Sequence, residues 1–250
     1  MIQIQPVYEH RAEYEVLAER RGLLFEALEL SFDGVSEEKY KWYKTCGKVR
    51  SLHGAFIDVN PASGDSGIAV LSEKRCEESC EKALACGAEN VVFHSSCFPF
   101  LRGGYLDAWA AKSAECYTRL AERYPSLRLF IENSFDIDPV PIRTLMRRLR
   151  VPNVGVCLDI GHINYSRAGL DEWFDALGEY TGYLHLSDNA GVYDDHLALG
   201  CGTVDWKKAD ALCSALGKNI PVTLEVGGAE NIVRSLAFME ENGYFGGQYE

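Results

Sequence analysis

Eight short apolar runs recur along this chain, and each is separated from the next by a stretch of helical periodicity. The runs are IQIQPV (2–7), FEALEL (25–30), VRSLHGAFI (49–57), NVVFH (90–94), RLFIE (128–132), VGVCLD (154–159), GYLHLS (182–187) and PVTLE (221–225). Between and after them lie EYEVLAER, EKYKWYK, AVLSEKRCEESCEKALACG, YLDAWAAKSAECYTRLAERY, VPIRTLMRRLR, DEWFDALGEY, WKKADALCSALG and NIVRSLAFMEEN. A strand–helix alternation returns the chain in one direction each time, so it calls for parallel βαβ units. Runs that are apolar at almost every position belong to strands buried on both faces. Asp171 reads as a helix start, and Gly87 and Gly217 read as helix stops. Eight such units close into a (β/α)8 TIM barrel, and 250 residues is the usual length for one. A doubly wound open sheet is the other arrangement, but no G-x-G-x-x-G follows the first run, which disfavours its dinucleotide-binding form. No linker, low-complexity segment or charge run divides residues 1–250, so they are read as one domain.

In a parallel barrel every strand finishes on the same face, so residues far apart in sequence meet there. The residues at these strand ends are His53, His94, Glu132, Asp159 with His162, His185, and Glu225; Asp194 and His196 follow in the loop after His185. Imidazoles and carboxylates are the side chains that hold divalent metals. Each has a bland alternative. His53 alone fits a core histidine bonded to backbone, and two of the three acids would serve as structural ion-pair members. Yet a carboxylate closing an apolar run is expensive to bury unless paired or metal-bound, and the flanks offer no basic partner nearby in sequence. Glu132, Asp159, His185 and Glu225 form an oxygen and nitrogen set suited to Mn²⁺, Zn²⁺, Co²⁺ or Mg²⁺. Such a cation polarises a carbonyl or two vicinal oxygens, and paired glutamates then move a proton off and onto the adjoining carbon. That is isomerase or epimerase chemistry. Adding His53, His94, His162, Asp194 and His196 makes room for a second and third metal, which would favour phosphodiester hydrolysis.

The remaining features narrow the partners. The net charge of −12 opposes nucleic acid at long range, and few basic residues fall in the loops around the site: Arg102, Arg167, Lys207 and Lys208. Nine cysteines at irregular spacing, with no CxxC pair, argue against disulfides and zinc ribbons. No apolar run approaches a membrane span and the first residues do not read as a signal peptide, so no membrane is expected and the cytoplasm is the expected compartment. His10 reads as a surface residue. Phe56, Phe98, Trp109 and Trp206 are candidates for an apolar wall, Arg102 for a phosphate contact, and Asp188 and Asn189 either orient a ligand or make a turn.

HGAFIDVNP (53–61), VVFHS (91–95), FIENSF (130–135), CLDIGHINYS (157–166), HLSDN (185–189), DDHLALGCGTVDW (194–206) and LEVGG (224–228) resemble the xylose isomerase-like TIM barrels. That superfamily includes sugar isomerases and epimerases and the endonuclease IV type of abasic-site nuclease (AP endonuclease family 2). The isomerase branch implies Glu132, Asp159, His185 and Glu225 as metal ligands, Glu132 and Glu225 as the acid/base pair, and His162 beside the metal. The nuclease branch implies three zincs: His53, His94 and Glu132 on one; Glu132, Asp159, His185 and Glu225 on the second; His162, Asp194 and His196 on the third. IQIQPVYEH stands where those nucleases resemble G-A-H-x-S, NSFD where they carry N-T-A-G, and IGH where they show T-C-H. The resemblance therefore implies a small sugar, sugar-phosphate or polyol substrate ahead of DNA. It leaves a non-catalytic metabolite-binding barrel as a third reading and a homodimer as an open question.

Overall fold

A computed structural model describes residues 1–28 and 36–246. Eight strands, β1 (Ile2–Ile4), β2 (Leu24–Leu28), β3 (Val49–His53), β4 (Asn90–His94), β5 (Arg128–Glu132), β6 (Val154–Asp159), β7 (Thr181–Leu186) and β8 (Val222–Leu224), pair in parallel in chain order. β8 pairs back onto β1, so the sheet is a closed barrel. The outer helices are α1 (Arg11–Arg21), α2 (Glu37–Thr45), α3 (Ser66–Cys86), α4 (Gly103–Arg123), α5 (Val140–Met146), α6 (Ile160–Tyr165), α7 (Leu170–Leu177), α8 (Trp206–Ala215) and α9 (Ala229–Asn242).

Three strands match the apolar runs end to end, and the others differ at their margins. The third run is strand only as far as His53; the next residue, Gly54, lies against the Phe93 ring, where a Cβ would fall 2.4 Å from a ring carbon. In the first run only Ile2–Ile4 is strand. Residues 29–30 of the second run lie outside the described residues. α7 begins at Leu170 with Gly169 as its cap, one residue before the expected Asp171 start. α6 has no counterpart in the sequence reading, because six residues are too few to carry an amphipathic period. What starts it is a cap: the Asp159 side chain accepts from His162 N at 2.7 Å. Asp159 thus ends β6 and opens α6, which brings His162 back over the barrel mouth.

Strand side chains alternate between the helix layer and the lumen. On β8, Val222 and Leu224 join the main apolar core, while Thr223 bonds to lumen residues. Val92, Phe130, Cys157 and Tyr183 form a separate apolar cluster within the lumen. Phe130 fills space left by two glycines, since a Cβ on Gly155 or Gly182 would lie 3.2 or 2.9 Å from its ring. Outer-face charges pair across neighbouring helices, as in Arg119–Glu73 at 2.6 Å and Arg123–Glu77 at 2.6 Å. Such exposed pairs contribute little to stability. All nine cysteines are free thiols, and among the described residues no helix is long and apolar enough to cross a membrane.

Candidate metal centre

The barrel register decides which strand-end residues become neighbours. His94 lies opposite Glu132 across β4 and β5, and Asp159 opposite His185 across β6 and β7. Glu132, Asp159 and His185 are fully buried, and the Glu225 side chain is 12% exposed. One ligand atom from each of the four lies within 4.8 Å of the others. His185 Nδ1 approaches Glu225 Oε2 at 2.9 Å and Glu132 Oε1 at 3.2 Å. These contacts lack hydrogen-bond alignment: both Glu132 oxygens, Asp159 Oδ2, His185 Nδ1 and Glu225 Oε2 are buried without a hydrogen-bond partner. Buried polar atoms are rarely left so, because each such loss costs about 1–3 kcal/mol. A divalent cation at bond lengths of about 2.0–2.2 Å fits one donor from each of the four residues at this spacing. The donor set therefore suits a resident metal.

Two further groupings surround this one. His53 Nε2 and His94 Nε2 lie 3.3 and 3.6 Å from Glu132 Oε2, and the three residues offer ligand atoms within 4.8 Å of one another. Asp194 Oδ2 is 3.1 Å from His162 Nε2 and 3.0 Å from His196 Nε2. The outer ring nitrogens are anchored: His162 Nδ1 lies 2.6 Å from Asn133 O, and His196 Nδ1 lies 2.6 Å from Glu225 O. His196 adopts a positive φ of 47°.

The electrostatics follow from three acids sharing one buried space. Burial pushes Asp159 up to about 7, with the Glu132 and Glu225 charges adding to the rise against His162. Burial also works to raise Glu225, but the His185 charge holds it down at about 2. Glu132 likewise lies well below the usual range, its burial outweighed by His185, His94 and His53. Burial pushes His94 down to about 4 despite Glu132, which keeps it in the neutral form that binds metals. Against burial, Asp194 and Glu225 raise His196 to about 10.

A cavity of about 500 Å³ opens on this face, and its wall includes His53, His94, His162, Asp194, His196 and Glu225. Phe56 lines it too, its ring 4.9 Å from that of His94. The other substrate-contact candidates lie elsewhere. Arg102 is half exposed and paired with Asp138 at 2.8 Å. Asp188 accepts from Gly200 N, Val204 N and Trp206 Nε1, so both it and Trp206 tie down the loop after β7. Asn189 donates to Gly161 O and accepts from Asn164 Nδ2 in the same network. Phe98 is 74% exposed and Trp109 is buried within the helix layer. Arg102, Asp188, Asn189 and Trp206 are thus committed to a surface pair or to the loop after β7, which sequence position alone does not reveal. Gln5, Tyr8, Lys39 and the Gly227–Gly228 backbone line the cavity without having been singled out. Glu26, inside the second apolar run, is fully buried within hydrogen-bond reach of His185. A carboxylate in the middle of an apolar run was the signal for it.

Comparisons with known proteins agree with this architecture. The family model for xylose isomerase-like TIM barrels matches residues 25–242. The uncharacterized protein MJ1311 of Methanocaldococcus jannaschii is 24% identical over 201 residues, which span 76% of this chain and 68% of that one. The TTHB071 protein from Thermus thermophilus, soaked with zinc chloride, superposes with a TM-score of 0.78 at 22% identity over 96% of both chains. A D-tagatose 3-epimerase-like protein gives a TM-score of 0.73 at 22% identity, covering 86% of this chain and 87% of its own. At these identities the solved structures speak to fold.

Proposed function

The chain belongs to the xylose isomerase-like TIM barrel family, and from that premise we propose that it is a divalent-metal-dependent isomerase or epimerase. Its substrate would be a small sugar, sugar phosphate or polyol, handled in the cytoplasm. The observation that carries this reading is the set of unpartnered buried donors on Glu132, Asp159, His185 and Glu225 beside a cavity of about 500 Å³. That volume is in the small-molecule range. Those four residues would hold Mn²⁺, Zn²⁺, Co²⁺ or Mg²⁺. When bound, the cation polarises the substrate carbonyl and acidifies the adjacent C–H. Glu225 faces the cavity and takes the proton there; Glu132, near the same His185 nitrogen, is its partner in the acid/base pair. His162 and His94 position hydroxyls and Phe56 covers an apolar sugar face. The epimerase-like neighbour supports this substrate class.

The test is ketose turnover in D₂O, followed by NMR for deuterium entering the carbon next to the carbonyl, with elemental analysis for metal. Metal-dependent exchange on any member of a ketose panel upholds the proposal. A metal-loaded protein that exchanges none of them leaves the non-catalytic reading standing.

A specific observation favours a second reading, phosphodiester hydrolysis at three zincs. Glu132 lies near His53 and His94, and Asp194 near His162 and His196, which supports the placing of ligands that the nuclease branch implies. Charge weighs against DNA: Glu9, Asp194 and Glu225 line the cavity, and Lys39 is its one lysine or arginine among the described residues. Metal-dependent incision of abasic duplex DNA, abolished by EDTA, would reverse the preference.

A further inference from the structure

The lumen of a parallel barrel is ordinarily packed with branched apolar side chains. Here a carboxylate sits in it. Glu26 on β2 is fully buried, yet both of its oxygens are occupied. Oε1 accepts from Gln5 Nε2 at 2.8 Å. Oε2 accepts from the Tyr183 hydroxyl at 2.7 Å and the Thr223 hydroxyl at 3.0 Å, and lies 3.1 Å from His185 Nε2. Tyr183 is itself held by Gln3 Nε2 at 2.8 Å. Residues on or just after β1, β7 and β8 thus combine to place one carboxylate.

The geometry points to Glu26 as a positioning residue for the metal centre: it holds the His185 ring proton on Nε2 and so leaves Nδ1, which faces Glu132 and Glu225, as the nitrogen that would give its lone pair to a metal. A carboxylate accepts and cannot donate, so the 3.1 Å contact requires the ring proton on Nε2. The opposite nitrogen is the one that lies 2.9 Å from Glu225 and 3.2 Å from Glu132 without a hydrogen bond. With its acceptor capacity filled by four groups, Glu26 has no room left for the cation. Its effect passes through the imidazole, by orientation and by making Nδ1 a better donor. Gln5 lines the cavity as well as holding Glu26, so the network also ties the cavity wall to this support. This inference rests on the reading that Glu132, Asp159, His185 and Glu225 hold a metal.

The experiment is Zn²⁺ affinity by competition with a chromophoric chelator, for the parent, Glu26→Gln and Tyr183→Phe. Glu26→Gln keeps the length and removes the charge; Tyr183→Phe removes one donor and leaves the Glu26–His185 contact. The expected result is a 10–100-fold weaker Zn²⁺ affinity for Glu26→Gln and less than a threefold change for Tyr183→Phe. Equal losses in both variants, or none in Glu26→Gln, overturn the proposal, since lumen packing alone would account for them. A readout independent of the variants is the long-range ¹H–¹⁵N spectrum of the zinc-loaded parent. His185 should show a protonated Nε2 and a metal-bound Nδ1; the reverse pattern refutes the assignment even if Glu26→Gln does not fold. A parent that binds no Zn²⁺ removes the metal-centre reading itself, a different failure from unchanged affinity in Glu26→Gln.

Discussion

Replacing Asp159 with asparagine should make the metal-free protein more stable while removing its response to metal. Asp159 has one oxygen committed as the cap of α6, accepting from His162 N, and the other buried without a partner. Asparagine keeps the capping oxygen and offers an amide donor where Glu132 and Glu225 lack one. Burial raises the Asp159 pKa from the ordinary 3.8 to about 7, so the folded chain holds its proton more tightly than the unfolded chain. The destabilisation therefore sets in above pH 4, grows with pH and levels off above about 7. At 1.36 kcal/mol per tenfold in proton affinity it is about 2 kcal/mol at pH 5 and about 4 kcal/mol at pH 8. The larger figure is an upper bound on the gain, equivalent to roughly 8–16 °C in Tm for a chain of this size. Metal at 100 times its Kd should add about 2.7 kcal/mol to the parent and nothing to Asp159→Asn, closing much of the gap. The assay is urea unfolding at pH 5 and pH 8, in EDTA and then with excess ZnCl₂. An asparagine variant less stable than the parent in EDTA at pH 8, or one whose advantage does not grow between the two pH values, refutes the argument. Equal metal stabilisation of both proteins would place the binding elsewhere.

Glu225→Gln should lower deuterium exchange into substrate by at least about 100-fold, the span ordinarily supplied by a positioned acid or base; exchange within threefold of the parent removes Glu225 from the proton path. Asp188→Ala strands the buried donor Trp206 Nε1 and removes the acceptor of the less buried Gly200 N and Val204 N, so calorimetry should show a loss of about 1–3 kcal/mol. Because Asp188 does not face the cavity, its alanine variant should keep the parent Zn²⁺ affinity within threefold. In the metal-free protein the His196 ring should titrate near pH 10 by NMR, since Asp194 and Glu225 outweigh its burial. Its contribution to stability is complete below the unfolded value near 6.5 and is lost as pH rises through 10. In Asp194→Asn the His196 titration should fall toward 6.5; a parent ring already titrating there contradicts the pairing.

The architecture was legible from the chain because its cause is local. Alternating strand and helix periods, with helix stops such as Gly87 in the left-handed region at φ 78°, leave few topologies other than parallel βαβ units. Glu132, Asp159 and Glu225 stood out for a similar reason: a carboxylate closing an apolar run needs a partner, and none lay nearby in sequence. Which atoms meet was decided by closure of the barrel. Register set His94 against Glu132 and Asp159 against His185, and the alternation of strand side chains sent Thr223, Tyr183 and Glu26 into the lumen, where they share one oxygen. Arg102, Asp188, Asn189 and Trp206 carried the right chemistry at plausible positions, but surface pairing and loop closure claimed them first. Residue type and strand-end position are properties of the chain; the direction in which a donor points is a property of packing, and only the assembled barrel settles it.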